Sequence, residues 1–130
     1  MKKTALEIYS LAVCFIAVVA LVISLGTGLY SFIEISYPEF TINQWQYEQF
    51  QSNDAFWDNS PKHFPPELKG EPAKKPSEEE LTKMRNEAYE RALSNESRSG
   101  AQTLVQSIIF FLISAVVFFL HWRIFKKNNE

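Results

Sequence analysis

The sequence predicts an all-α membrane protein, in which two transmembrane helices are joined by a small helical, partly irregular extramembrane segment. Two observations predict this class. Residues 8–33 and residues 104–122 contain no Asp, Glu, Lys or Arg, and at about 1.5 Å rise per residue each run can cross the roughly 30 Å hydrocarbon core of a bilayer. The apolar residues of the 130-residue chain are concentrated in these two runs rather than spread as a soluble core requires. Lipid offers the backbone no hydrogen-bond partners, so each run should be a helix.

The first transmembrane helix is predicted over residues 8–33, after an N-terminus of residues 1–7. Lys2 and Lys3 precede it, as basic residues precede a secretory signal. However, the apolar run is longer than the core of a typical signal, Glu7 interrupts the basic region, and no Ala-x-Ala site follows. A retained helix is therefore favoured over a cleaved signal.

Small residues recur along this helix at steps of three or four, which places them on one face. Small side chains let helix backbones approach closely, and close packing drives helix association in lipid. The alternative is a chance run in a helix that is rich in Ala and Ser. We favour a helix-packing face, which comprises Ser10, Cys14, Ala17, Ala20, Ser24, Gly28 and Ser31.

The extramembrane segment is predicted over residues 34–101. Pro38 should end the first helix, because proline disfavours helical geometry in the residue before it. Thr41 lies three residues before Gln44, a capping-box spacing that predicts a helix over about residues 42–56. The aromatic residues of positions 40–57 allow two interpretations. Either they lie on the outer membrane surface, or they pack against the second polar helix as a small core.

Residues 60–76 contain five prolines and a glycine among charged residues, which predicts an irregular linker. Ser77 and Glu80 then have the spacing of a capping box, and the acidic residues 78–80 complement the positive end of a helix dipole. A helix is predicted over about residues 78–95. Residues 95–100 are poor in helix formers and predict a break or a frayed joint before the membrane.

The second transmembrane helix is predicted over residues 102–122, and it ends in a group of three polar or amphipathic side chains. Trp favours the membrane boundary, and Arg can extend its stem along apolar surface while its charge stays in water. A histidine can titrate near neutral pH, but this one has no visible partner. We interpret the group as a membrane-interface anchor, which comprises His121, Trp122 and Arg123.

The distribution of charge predicts how the chain is threaded. Basic residues lie outside both predicted helices at the chain termini, whereas residues 34–101 hold 13 acidic and 8 basic residues. Because cytoplasmic loops carry an excess of Lys and Arg, both termini should be cytoplasmic, including residues 123–130, and the middle segment should be extracytoplasmic.

The two apolar segments also resemble a known group of proteins. The stretch "LVQSIIFFLISAVVFFLHWRIFKK" is similar to the closing helix of an uncharacterised bacterial family of integral-membrane proteins, whose two-helix units end in a His-Trp-Arg signature. "IYSLAVCFIAVVALVISLGTGLYSFIE", followed by "YPEF", is similar to that family's opening helix. The resemblance implies a multi-pass protein of the bacterial inner (cell) membrane, and it implies no activity.

The sequence predicts a non-enzymatic protein with no cofactor, no metal and no nucleic-acid partner. Cys14 is the only cysteine, His63 has no second ligand at metal-site spacing, and no phosphate-binding glycine loop is present. We expect a structural or accessory subunit that lies in the lipid bilayer and packs with itself or with a larger membrane protein. The alternative is a subunit of a small oligomeric channel or transporter, although neither helix carries an ionisable residue at its centre.

Overall fold

A computed structural model describes residues 5–59 and 75–127. These residues form five helices in the order α1 (Ala5–Ser36), α2 (Pro38–Thr41), α3 (Gln44–Gln49), α4 (Asn53–Asn59) and α5 (Glu78–Lys127), and no strand occurs among them. The all-helical class is therefore confirmed. The predicted linker lies outside the described residues, except for Lys75 and Pro76.

The chain divides into two compact units. The first unit consists of Met1–Ser36 and Arg98–Glu130, so it pairs α1 with the apolar part of α5. The second unit is Tyr37–Ser97, which contains α2, α3, α4 and the polar beginning of α5.

Helix α1 begins three residues before the predicted span and ends three residues after it. Pro38 opens α2 two residues beyond the end of α1, as its effect on the preceding residue predicts. Both α1 and α5 are long and apolar enough to cross a membrane. Most of the large apolar side chains of α1 point outward, and Phe15 and Leu29 are each 70% exposed.

The prediction of one helix over residues 42–56 was wrong, because the chain forms the two short helices α3 and α4 there. The capping assignment was also wrong. Asn43 is the N-cap of α3, and its Oδ1 accepts a hydrogen bond from the Trp45 backbone N–H at 2.9 Å. Thr41 instead ends α2. Ser52 separates the two helices, and its Oγ accepts from the Ala55 backbone N–H at 3.1 Å at the start of α4.

The predicted break at residues 95–100 was wrong as well, because α5 is one helix of 50 residues. A glycine inside a helix costs about 1 kcal/mol relative to alanine. Helix formers before residues 95–100, such as Ala92 and Leu93, and after them, such as Ala101 and Gln102, offset this cost, since helix extension is much easier than a new nucleation. Gly100 is also buried against α1. At the beginning of α5 the capping box is confirmed: Ser77 Oγ accepts from the Glu80 backbone N–H, and Glu80 Oε2 accepts from the Ser77 backbone N–H, both at 3.3 Å.

Candidate functional site

The small-residue face of α1 lies against α5 within the first unit. Its buried members include a series spaced seven residues apart, Ser10, Ala17, Ser24 and Ser31, together with Cys14. The other two members of the predicted face, Ala20 and Gly28, are partly buried. A seven-residue repeat keeps one face of a helix against a neighbour when the two helices wrap with a left-handed twist.

A matching series lies on α5, and the sequence analysis missed it. Gly100, Ser107 and Ser114 are buried at seven-residue intervals, and the half-buried His121 continues the series. The signal was present as a repeat of small residues. It was obscured because each small residue stands among large aliphatic and aromatic side chains that point outward.

The two helices run antiparallel, since the beginning of α1 contacts the end of α5. Four contacts establish this register. Tyr9 lies against His121, Cys14 against Phe118, Gly28 against Ser107, and Glu34 against Gly100. The Cys14 Sγ lies 3.9 Å from the Phe118 carbonyl oxygen, which its thiol can reach as a weak donor.

The two backbones come closest at Gly100. A Cβ atom added to Gly100 would lie 2.7 Å from the Glu34 Cβ and 3.0 Å from the Ser31 carbonyl oxygen, which leaves no room for it. At Gly28 an added Cβ would meet the Ser107 Cβ at 3.6 Å, an ordinary van der Waals contact. Gly26 faces open space, with nothing within 4 Å of an added Cβ. Glycine is therefore sterically required at position 100.

Most of the hydroxyl groups in this contact bond within their own helix. Ser24 Oγ donates to the Ala20 carbonyl at 2.7 Å, and the hydroxyls of Ser31 and Ser107 donate in the same way to carbonyls four residues earlier. Two buried oxygens, Ser10 Oγ and Glu34 Oε2, have no hydrogen-bond partner among the described residues. The hydroxyls of Ser24, Ser31 and Ser107 therefore contribute to the contact through close packing, beside the weak hydrogen bond that the Cys14 thiol donates to the Phe118 carbonyl.

The three residues of the predicted interface anchor occupy different surroundings. The His121 ring lies 5.8 Å from the Tyr9 ring between centroids, and its Nδ1 lies 2.9 Å from the Val117 carbonyl oxygen. A carbonyl oxygen only accepts, so this contact is a hydrogen bond when the proton is on Nδ1. Trp122 stacks on Phe118 at 5.9 Å and is half exposed, and Arg123 is exposed. His121 therefore belongs to the contact with α1, whereas Trp122 and Arg123 face outward.

The second unit has a small core of its own, and it divides the aromatic residues of positions 40–57 into two groups. Phe50 packs 5.4 Å from Tyr89 of α5 and 6.1 Å from Phe56 between ring centroids, and Leu81 of the same unit is fully buried. A second, exposed group comprises Phe40, Trp45 and Tyr47, together with Tyr37 just before this stretch, and Trp57 is partly buried. The interpretation as a small core holds for Phe50 and Phe56. Contact of the exposed group with a membrane surface stays a prediction.

Polar side chains join α4 to the beginning of α5. Asn53 Nδ2 donates to Glu78 Oε2 at 2.8 Å and to Thr82 Oγ1 at 3.0 Å. The Lys75 Nζ lies 2.7 Å from Asp54 Oδ1 and 3.4 Å from Glu78 Oε1. The hydrogen bond and the charge of Lys75 lower the pKa of Asp54, and the hydrogen bond from Asn53, followed by that from Lys75, lowers the pKa of Glu78.

These pKa shifts predict that acid loosens the link between α4 and α5. A carboxyl group with a lowered pKa in the folded state stabilises the fold above its ordinary pKa, 3.8 for Asp54 and 4.5 for Glu78. That stabilisation is lost as the pH falls through the lowered value. We expect amide hydrogen exchange in α4, corrected for its intrinsic pH dependence, to accelerate below about pH 4, modestly because these groups are solvent-exposed.

Two variants separate this effect from general acid unfolding. Asp54→Asn should weaken the acid response, because it removes the carboxylate that pairs with Lys75. Asp58→Asn, in the same helix, should leave it unchanged, since Asp58 forms no ion pair with any residue in the described ranges. An acid response that Asp54→Asn leaves intact would contradict the prediction.

Comparisons with known protein families, with curated proteins and with solved structures find no match. Within residues 5–59 and 75–127, no group of three or more His, Cys, Asp or Glu side chains is arranged to hold a metal ion. The candidate site is therefore the α1–α5 contact itself. Its described side chains support close packing between the two helices.

Proposed function

We propose that this chain is a non-enzymatic membrane protein of two spanning helices, located in the bacterial inner membrane, which acts as a structural or accessory subunit. The observation that carries the proposal is the distribution of small and large side chains over the helices of the first unit. Small residues fill the contact between α1 and α5, while large apolar residues cover the outward surface. This is the reverse of a soluble helical pair, which buries its large apolar residues and exposes its polar ones.

The exposed apolar surface supports lipid as the surroundings. Phe15, Ile16, Val22, Ile23 and Leu29 of α1 are all more than 60% exposed, and the apolar part of α5 presents a comparable surface. Soluble monomers rarely expose contiguous apolar patches of this kind. The bacterial inner membrane is proposed from the resemblance of the two helices to the family that ends in His-Trp-Arg.

The proposed role follows from what the two units offer. The first unit presents apolar helix surface to lipid or to another membrane helix, and the second presents a small polar body with its own core. We propose that the chain packs with itself or with a larger membrane protein. Both termini lie in the cytoplasm in this proposal, because basic residues lie beyond the outer ends of both helices.

Cysteine labelling tests the membrane threading. In a Cys14→Ala background, single cysteines at positions 2 and 128 should be shielded from a membrane-impermeant thiol reagent in intact cells. A single cysteine at position 70 should react, because residues 34–101 lie outside the membrane on the extracytoplasmic side. Reaction at either terminus together with protection at position 70 would overturn the threading. Release of the chain by alkaline carbonate would overturn the membrane location itself.

A further inference from the structure

A groove runs along one side of the α1–α5 contact, and several polar side chains line it although its open surface is mostly apolar. Its volume is about 370 Å³. Its apolar walls include Ile23 and Phe110, and its polar walls are Ser24, Thr27, Thr103, Gln106 and Ser107.

Gln106 differs from the hydroxyl residues around it. The hydroxyls of Ser24, Thr27 and Ser107 each donate to a carbonyl four residues earlier in the same helix, at 2.7–2.9 Å. The Gln106 side chain is exposed, and its amide forms no hydrogen bond with any residue that the structure describes. Its two N–H donors and its carbonyl acceptor therefore remain available.

In the proposed membrane location, an amide without hydrogen-bond partners is destabilising at the depth of Gln106. The proposed span of α5 covers residues 102–122, so Gln106 lies about 6 Å inside its outer end at 1.5 Å per residue. Thr27, on the opposite wall of the groove, lies about 9 Å inside the outer end of the α1 span at residue 33. Hydrocarbon at this depth offers no partner for an amide, and an unpaired polar group there is destabilising.

We propose that a second copy of this chain docks on this groove, and that the two Gln106 amides hydrogen-bond to each other. The proposal rests on the proposed membrane location, because only lipid makes the free amide costly. Two copies inserted with the same threading are related by a twofold axis along the membrane normal, so each residue can meet its own counterpart at the same depth. A carboxamide is both donor and acceptor, so it is complementary to itself, as such a contact requires.

The walls of the groove provide the remaining contact. Ile23 and Phe110 line the same groove as Gln106 and can pack against the outward apolar residues of the second copy. Hydrogen bonds between side-chain amides of membrane helices are a known source of association. The groove thus supplies van der Waals contact, and Gln106 supplies the directional bond that selects the second copy over lipid chains.

Energy transfer between labelled chains in lipid vesicles tests the proposal. Donor- and acceptor-labelled protein is reconstituted in phosphatidylethanolamine–phosphatidylglycerol vesicles and diluted with lipid, which gives an association constant. We expect Gln106→Leu to lower this constant by about 3- to 30-fold, the range that hydrogen bonds between membrane helices support. Gln102→Leu is the matched control, since Gln102 lies one turn earlier on α5, at the membrane boundary where water can satisfy its amide.

The outcomes separate this inference from the proposed function. A wild-type chain that stays monomeric at all dilutions, an unchanged constant in Gln106→Leu, or an equal loss in Gln102→Leu would each overturn docking through Gln106. The proposed membrane location would stand if the protein still floats with the vesicles. Protein that does not float with the vesicles would overturn the location and the docking together.

Discussion

Replacing Gly100 by alanine should separate α1 from α5, although the change adds a single methyl group. The added Cβ would lie 2.7 Å from the Glu34 Cβ and 3.0 Å from the Ser31 carbonyl oxygen. Neither atom is the end of a flexible side chain, so the two helices must move apart. We expect a loss of about 1–3 kcal/mol in the free energy of unfolding, which is typical of an overpacked contact.

The measurement is a titration from mild detergent into sodium dodecyl sulfate. The contact is followed by the yield of a short bis-maleimide cross-link between cysteines at positions 9 and 121, in a Cys14→Ala background. Gly26→Ala is the matched control, because an added Cβ there meets nothing within 4 Å. It should be neutral, or stabilising by up to about 1 kcal/mol through helix propensity. Equal midpoints for the two alanine variants would contradict the close approach at Gly100.

A second large effect is expected at Ala17, in the middle of the α1 face. Ala17 is 4% exposed, and leucine at this position adds three carbon atoms to a filled contact. We expect Ala17→Leu to destabilise the α1–α5 pair by about 1–3 kcal/mol or more, since overpacking forces the backbones apart. Membrane insertion should be unaffected, because the change only adds apolar surface.

Val22→Leu is the control for this variant, as Val22 is 64% exposed and points away from α5. The same detergent titration and cross-link measure both variants, and carbonate extraction checks that each remains in the membrane. If Ala17→Leu and Val22→Leu gave the same midpoint, the small residues of α1 would reflect only the amino-acid composition of the helix and would not form a packing face. Loss of the cross-link in Ala17→Leu alone would support packing of α5 against the small residues of α1.

The parts of the fold that depend on local signals could be predicted from the sequence. Pro38 marks the end of α1, and the Ser77–Glu80 capping box marks the beginning of α5. Both signals depend on interactions between residues a few positions apart, so they can be recognised in a single sequence. The spacing of small residues similarly identified one face of α1, because that spacing needs no knowledge of the partner.

The remaining features depend on contacts between distant residues. The continuity of α5 through Gly100 could not be predicted from helix propensity, because burial against Glu34 and Ser31 favours glycine there for a steric reason. The division of the aromatic residues depends on the contact of Phe50 with Tyr89, which lie 39 positions apart in the numbering. The packing series of α5 is present in the sequence as a repeat of small residues, but large side chains surround each member, and its role is recognised only from its contact with the matching series of α1.

The hydroxyl bonds inside each helix have a consequence for biosynthesis. Translation releases α1 well before α5, so in the membrane location that we propose the first helix must reside in lipid without its neighbour. The hydroxyls of Ser24 and Ser31 already donate to carbonyls of α1, and that of Ser107 donates within α5. None of these three hydroxyl groups needs an acceptor on the other helix for its hydrogen bond. The two segments can therefore leave the translocation machinery one after the other, and they can pair afterwards by lateral diffusion, without a stage in which these hydroxyls stand unpaired in hydrocarbon.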